Sequence, residues 1–473
     1  MTSSGVVAAV DLGATSGRVI IGRVGPDTLS VEAVHRFPNQ PVRTADGLHW
    51  NILELYRNVL VGLGKAVAAE PGLASIGIDA WAVDYALLRG DMMINNPFHY
   101  RDERTHRGVE LVHDVVDLAS LYAANGLQFL PFNTVYQLAV DRAAGQLDGA
   151  DTVLMLPDLL SFWLTGEKVA ERTNASTGGL LDVRSGEWND ELMNRLGLPL
   201  ALFPRLVAAG SRIGRLRHSV AHEIGTDRAI DVVAVGSHDT ASAVVAVPML
   251  TDDAAYISSG TWSLVGVELD KPVLDDSSRD ANFTNEGGVD GRIRYLHNVM
   301  GLWLLSECVR TWERDGAHVD LPTLITQAAQ VRSQVAIFDA NDPGLLPPGD
   351  MPSRIVQLCA DQGLSAPRTP AELVRSILES LAAAYAEAID QAQLLSGKTI
   401  RTVHIVGGGS QNTLLCQLTA DRTGRTVLAG PVEATAIGNV LVQSRAAGLI
   451  VGELEQLRAR VARTFPPTSY RPR

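Results

Sequence analysis

Residues Ala8–Val24, AAVDLGATSGRVIIGRV, place Asp11 in a turn rich in Gly, Ser and Thr between two apolar runs. Two short apolar segments joined by so tight a turn form an antiparallel hairpin, and LSVEAVHRF (Leu29–Phe37) supplies a third strand beside it. The pattern returns at Ala254–Leu269, AAYISSGTWSLVGVEL, again strand, Gly/Ser/Thr turn, strand. Beyond each hairpin, strands and helices alternate, which predicts an α/β protein whose two halves begin alike.

The later segments agree. A helical stretch covers 52–69, the strand-bearing SIGIDAWAVDYALL follows at Ser75–Leu88, and LMLPDLLSFWLTG carries Leu and Trp at helical spacing up to Gly166. DVVAVGSHDTASAVVAV (Asp231–Val247) reads as a buried strand, a polar turn and an apolar helix. In RTPAELVRSILESLAAAYAEAIDQAQLL, Thr369 is the expected N-cap, Pro370 the first helical residue and Glu372 the closing member of a capping box. TVHIVGGGSQNTLLCQLTADRTG (Thr402–Gly424) is a strand, a triple-glycine turn and a helix. A chain of 473 residues exceeds what one core organises, so two domains are expected, 1–248 and 249–473, with the break near 247–253.

Composition narrows the function. Apolar residues make up 46% and charged residues 20%, as in ordinary globular enzymes, and the N-terminal stretch lacks the basic, apolar build of a signal peptide. A cytoplasmic protein that neither enters a membrane nor binds nucleic acid is expected, since a net charge of −13 repels a polyanion. A small anion such as a nucleotide remains open to it, because a few backbone N–H groups set the local field. Cys308, Cys359 and Cys416 are too few and too scattered for a disulfide framework or a zinc site, and read as reduced core thiols.

Standard nucleotide motifs are absent. SGKT at Ser396–Thr399 follows a helix and precedes a strand, the reverse of a phosphate-binding loop. The Gly13–Gly17 turn nevertheless offers backbone N–H groups with the hydroxyls of Thr15 and Ser16. Taken alone it is a hairpin turn. A carboxylate beside phosphate is repulsive unless a cation lies between them, so Asp11 is assigned to Mg²⁺. The Gly260–Thr261 turn has no acidic residue and suits the same nucleotide, and VGGGSQN (Val406–Asn412) permits close backbone approach by a flat adenosine. In GSHDTAS, Asp239 is either a helix N-cap or, if those loops hold phosphate, a base.

Together, VDLGATSGR, GIDAWAVDYALL, YRDERT, GSHDTA, SSGTWSLVG, NVMGLWLL, VGGGSQN and GPVEATAIGN resemble the FGGY carbohydrate kinases in order and spacing, over nearly the whole chain. The resemblance implies two actin-like, ribonuclease-H-like domains with an ATP and sugar cleft between them, an N-terminal domain carrying the sugar and the base and a C-terminal nucleotide domain. It places Ala14, Thr15, Ser16, Gly17, Arg18, Gly260, Thr261, Gly408 and Asn412 at nucleotide positions. Asp239 falls at the catalytic base and, with Asp11, at the metal; Ala82, His238, Thr240 and Asn298 join Asp239 at the sugar. Ala82 replaces a usual Gly, which reshapes one edge of the sugar pocket, and Ser306 replaces a nucleotide-contacting Gln. Trp81, Asp84, Tyr100, Arg101 and Asp102 are divided between polyol recognition and structure, while Trp262, Trp303 and His404 read as packing. The implied reaction moves the γ-phosphoryl group of MgATP to the 1-hydroxyl of L-rhamnulose. L-fuculose, L-xylulose or L-ribulose are alternatives, and a non-catalytic sugar and nucleotide sensor is the rival class. The protein is expected to be a monomer or homodimer.

Overall fold

The computed structural model describes residues 4–473. Six strands form the first sheet: β1 (Gly5–Leu12), β2 (Ser16–Val24), β3 (Leu29–Pro38), β4 (Ser75–Ala80), β5 (Arg212–Arg215) and β6 (Asp231–Val233), in the order β5-β6-β4-β1-β2-β3. Seven form the second: β7 (Ala254–Ser259), β8 (Trp262–Leu269), β9 (Thr284–Gly287), β10 (Ile293–Met300), β11 (Thr402–Val406), β12 (Thr426–Ala429) and β13 (Thr468–Tyr470), in the order β9-β10-β8-β7-β11-β12-β13. Six helices matter below: α1 (Ile52–Ala69), α2 (Asp239–Val245), α3 (Trp303–Arg314), α4 (Pro370–Ser396), α5 (Thr413–Thr423) and α6 (Ala434–Ala446).

The two hairpins have the same surroundings. β1 pairs antiparallel with β2 and parallel with β4; β7 pairs antiparallel with β8 and parallel with β11. β1 and β4 are buried along nearly their whole length, as strands flanked by helices are, so their residues read as continuous apolar runs and not as alternation. α1 follows the 3.6-residue period, burying Leu55, Val59, Leu63 and Ala66 on one face.

One compact unit takes in residues 1–246 together with 268–295 and 434–464; the other takes in 247–267, 296–433 and 465–473. The first unit therefore includes α6, drawn from far along the chain. α6 is buried around most of its circumference and packs on β1, β4 and α2. A Cβ on Gly438 would lie 1.8 Å from the Ser242 carbonyl oxygen of α2, so only glycine permits this crossing. That explains the Gly of the sequence AIGN.

α4 begins as the sequence dictates: Thr369 Oγ1 accepts from the Glu372 amide (3.2 Å), and the Glu372 carboxylate accepts from the Arg368 amide (2.8 Å). Ser396 is the last residue of α4 and Gly397 its left-handed cap, so SGKT ends a helix where a phosphate loop would begin one. All three cysteines are buried and unpaired. Among the described residues no helix is long and apolar enough to cross a membrane.

Candidate active site

In the first unit, β6 leads through Ala234–Ser237 to His238 and Asp239 at the head of α2. This approach is extended and runs beside β4: the Ala80 amide donates to the Ser237 carbonyl (2.9 Å), and Ala80 bridges to His238. A buried carboxylate fixes it. Glu171 Oε2 accepts from the Thr173 amide and hydroxyl (3.0 and 2.5 Å), the Asn174 amide (3.3 Å), and the Ser237 amide and hydroxyl (3.0 and 2.8 Å). Burial pushes the Glu171 carboxyl up while these donors hold it down. Asn174 Nδ2 also donates to the Ser237 carbonyl (3.3 Å), and the His238 amide donates to Thr173 Oγ1 (3.3 Å).

Asp239 stands first in α2 but makes no cap: His238 occupies the N-cap position without a side-chain bond. The Asp239 carboxylate accepts from the Thr240 hydroxyl at 3.2 Å, lies 3.5 Å from His238 Nε2, and keeps its side chain 30% exposed. Burial raises its proton affinity, opposed first by His238. A partly exposed carboxylate with raised proton affinity and little internal bonding is what a general base requires. A cap whose oxygens were committed to backbone amides would not offer it.

Asp11 has a protein partner that the sequence reading did not name. It lies directly opposite Arg18 across the β1–β2 hairpin, and Arg18 donates to Asp11 Oδ2 through Nε (2.8 Å) and Nη2 (2.6 Å). The charge that the sequence left to a metal is already answered by a guanidinium, and Arg18, expected at the nucleotide, is tied to Asp11. The hairpin tip is braced by the residue that follows β3: Asn39 donates through its amide to the Thr15 carbonyl and through Nδ2 to the Gly13 carbonyl, both at 2.9 Å. Ala14 is half-buried; Thr15 and Ser16 are exposed, and Gly17 is buried against Phe37.

Asp79, to which the sequence assigned no role, is the register neighbour of Asp11 on β4 and is fully buried. Asn439 of α6 donates to its Oδ2 (2.5 Å), and Oδ1 has no partner. Burial, then Asp11 and Asp239, push its carboxyl well above the usual range. Three carboxyl groups, Asp11, Asp79 and Asp239, thus act on one another at this end of the sheet.

Ala82 is half-buried beside Val83, a β-branched residue at φ +68°. That strained backbone is held by Thr134 Oγ1, which donates to the Val83 carbonyl (2.7 Å), and by Asp84. Asp84 accepts from Trp50 Nε1 (2.6 Å), Trp81 Nε1 (3.0 Å), the Tyr100 amide (3.2 Å) and Gln137 Nε2 (2.9 Å). Asp102 likewise accepts from the Leu48 and Arg104 amides, at 2.7 and 3.0 Å. Trp81 and Asp84 thus shape the turn that presents Ala82, while Asp102 holds the backbone at Leu48 and Arg104.

In the second unit, the Gly260–Thr261 turn joins β7 to β8 and is tied to the start of α3: the Leu302 amide donates to the Gly260 carbonyl (3.0 Å) and the Trp303 amide to the Thr261 carbonyl (3.1 Å). The three glycines after β11 divide their work. A Cβ on Gly407 would lie 2.9 Å from the Ser259 carbonyl oxygen and one on Gly409 2.0 Å from Ser259 Oγ, while one on Gly408 would meet nothing within 4 Å. Two serve packing and Gly408 faces open space. Asn412 caps α5, its Oδ1 accepting from the Leu415 amide at 3.0 Å, so its side-chain oxygen is committed to the helix. Asn298 is half-buried on β10, Ser306 is exposed on α3, Trp303 and His404 are buried, and Trp262 is half-buried. Among the described residues no group of three His, Cys, Asp or Glu side chains is placed to hold a metal ion.

The chain belongs to the FGGY family of carbohydrate kinases and is an ATP-dependent sugar kinase: the family's N-terminal domain matches residues 6–246 and its C-terminal domain 255–447. Within that family it is similar to rhamnulokinases. That of Bacteroides thetaiotaomicron is 40% identical over 98% of this chain and 95% of its own length, and that of Bacillus subtilis 37% identical over 99% and 96%. Two solved structures share the fold. Gluconate kinase from Lactobacillus acidophilus aligns at TM-score 0.81 and 15% identity over 100% of this chain and 94% of its own. Glycerol kinase from Plasmodium falciparum aligns at TM-score 0.78 and 14% identity over 100% and 95%.

Proposed function

We propose that this chain transfers the γ-phosphoryl group of ATP to the 1-hydroxyl of L-rhamnulose, giving L-rhamnulose 1-phosphate and ADP, as a step in L-rhamnose catabolism in the cytoplasm. The observation that carries the substrate is identity of about 40% to rhamnulokinases sustained over nearly the full length. The exposure and raised proton affinity of Asp239 support its role in the chemistry. The hydroxyl oxygen attacks the γ-phosphorus, the bond to the bridging oxygen of ADP breaks, and the hydroxyl proton passes to Asp239. Because such a transition state is loose, orientation matters more than base strength. Ala82, His238, Thr240 and Asn298 are assigned to the sugar. Ala14–Arg18, Gly260, Thr261, Gly408 and Asn412 are assigned to the nucleotide, with the open face of Gly408 the most direct support among them.

Mg²⁺ fits as the partner of ATP. Asp11 and Asp239 offer the hard oxygen donors it takes; burial above all raises the Asp79 carboxyl, and the added push from Asp11 and Asp239 is what a divalent cation would relieve. With Asp11 already paired to Arg18, the residues suit a hydrated ion carried on the nucleotide better than a protein cage. Bound there, it would neutralise charge on the transferring phosphoryl group.

The test is ADP release across a panel of ketoses. L-rhamnulose is expected to stimulate it most. Preference for L-fuculose, L-xylulose or L-ribulose would overturn the substrate, and no stimulation by any sugar would favour a sensor. Sedimentation of the purified chain decides between monomer and homodimer.

A further inference from the structure

Arg294 of β10 is wholly buried. Its Nη1 lies 3.1 Å from Glu286 Oε2, Nε donates to the Gly287 carbonyl (2.9 Å), and Nη2 points at His238 Nδ1, 3.0 Å away. Glu286 Oε2 is itself 3.3 Å from His238 Nδ1. The imidazole therefore faces a cation and an anion on one side and Asp239 on the other.

We propose that Arg294 is a positioning residue that fixes the tautomer of His238, so that Nε2 carries the proton and presents an N–H donor beside the Asp239 carboxylate. A guanidinium has donors only, so the Arg294–His238 bond exists only while Nδ1 holds a lone pair. In a neutral ring the proton then sits on Nε2, which lies 3.5 Å from Asp239 Oδ1. The opposite tautomer sets a donor against a donor at Nδ1 and a lone pair against a carboxylate at Nε2. Glu286 on its own would favour that tautomer, by accepting from Nδ1. Arg294 prevents this by occupying Nδ1 and neutralising Glu286. Glu286 in turn compensates a cation that burial would otherwise make costly. The consequence for catalysis rests on the proposed roles of His238 and Asp239: the N–H orients the carboxylate and the hydroxyl held against it.

The experiment reads the ring directly. In long-range proton–nitrogen spectra of the full chain labelled with ¹⁵N-histidine, the His238 signals are identified by their loss in His238→Gln. The wild type is expected to show a pyridine-type Nδ1 and a pyrrole-type Nε2. Arg294→Met is expected to exchange them, and to lower kcat about 10- to 100-fold with KM for ATP unchanged. Arg294→Lys, which keeps a cationic donor, is expected to restore the wild-type tautomer and part of kcat. His238→Gln, which places an amide N–H near the Nε2 position, is expected to retain more kcat than His238→Asn, a comparison that leaves Arg294 in place if its variants fail to fold. A pyrrole-type Nδ1 in the wild type, an unchanged tautomer in folded Arg294→Met, or His238→Asn outperforming His238→Gln would overturn the proposal. Absence of kinase activity in the wild type would strike the proposed function instead and leave the nitrogen spectra to decide this one.

Discussion

Asp84→Asn tests whether the turn beneath Ala82 is held by a carboxylate at an energetic cost. Burial raises the Asp84 carboxyl from 3.8 to about 6, even though Gln137, Trp50, Trp81 and the Tyr100 amide all donate to it. The folded state therefore binds this proton more tightly than the unfolded state, and stability falls as pH rises from 3.8 through about 6. At 1.36 kcal/mol per unit the full loss is about 3 kcal/mol, with somewhat over 2 kcal/mol of it falling between about pH 4 and pH 7. Asparagine has no such dependence. Its oxygen retains the three donors on Oδ2, but its NH₂ faces the Gln137 amide, which is already committed to the Phe132 carbonyl at 2.9 Å. That mismatch costs about 1–3 kcal/mol at any pH. Urea unfolding followed by tryptophan fluorescence, which Trp50 and Trp81 report beside the substitution, should show the variant clearly less stable at pH 4 and close to wild type at pH 7. Other titrating groups cancel in that difference. An equal gap at both pH values would refute the reasoning.

Asp239→Asn should lower kcat by about 10²–10⁴-fold while the Kd for ATP, read by calorimetry, stays within about twofold of wild type; near-normal turnover would remove Asp239 as base. Gly438→Ala puts a methyl group on the Ser242 carbonyl and should cost about 3 kcal/mol, seen as a lowered Tm, although the same change on an exposed helix would gain about 1 kcal/mol. Gly408→Ala and Gly409→Ala should part company: the first keeps its Tm and raises KM for ATP, the second lowers Tm because its methyl group meets Ser259 Oγ.

The hairpins, the capping box of α4 and the glycine turn after β11 were legible because each is set by residues adjacent in sequence. The pairing of Asp11 was legible too: across a tight hairpin these two residues stand opposite, and an acid facing an arginine is an ordinary cross-strand pair. The residues that position the site were not legible. Glu171, Asn439 and Arg294 are isolated polar residues whose partners lie 66, 360 and 56 positions away, at Ser237, Asp79 and His238. Local periodicity gives no sign of such distant bonds, and it does not reveal that α6 returns to the first sheet. Asn439 and Arg294 do leave a trace, a polar residue in an otherwise apolar or strand-like run, but the trace names no partner, and Glu171 stands in a polar stretch that leaves none.

The proposed reaction has one diagnostic product. Incubated with MgATP and L-rhamnulose, the wild-type chain should yield a phosphate ester whose phosphorus correlates, in proton–phosphorus spectra, with the two protons of C1, and Asp239→Asn should yield almost none. A phosphorus coupled to a single ring or chain proton, or inorganic phosphate alone, would contradict it.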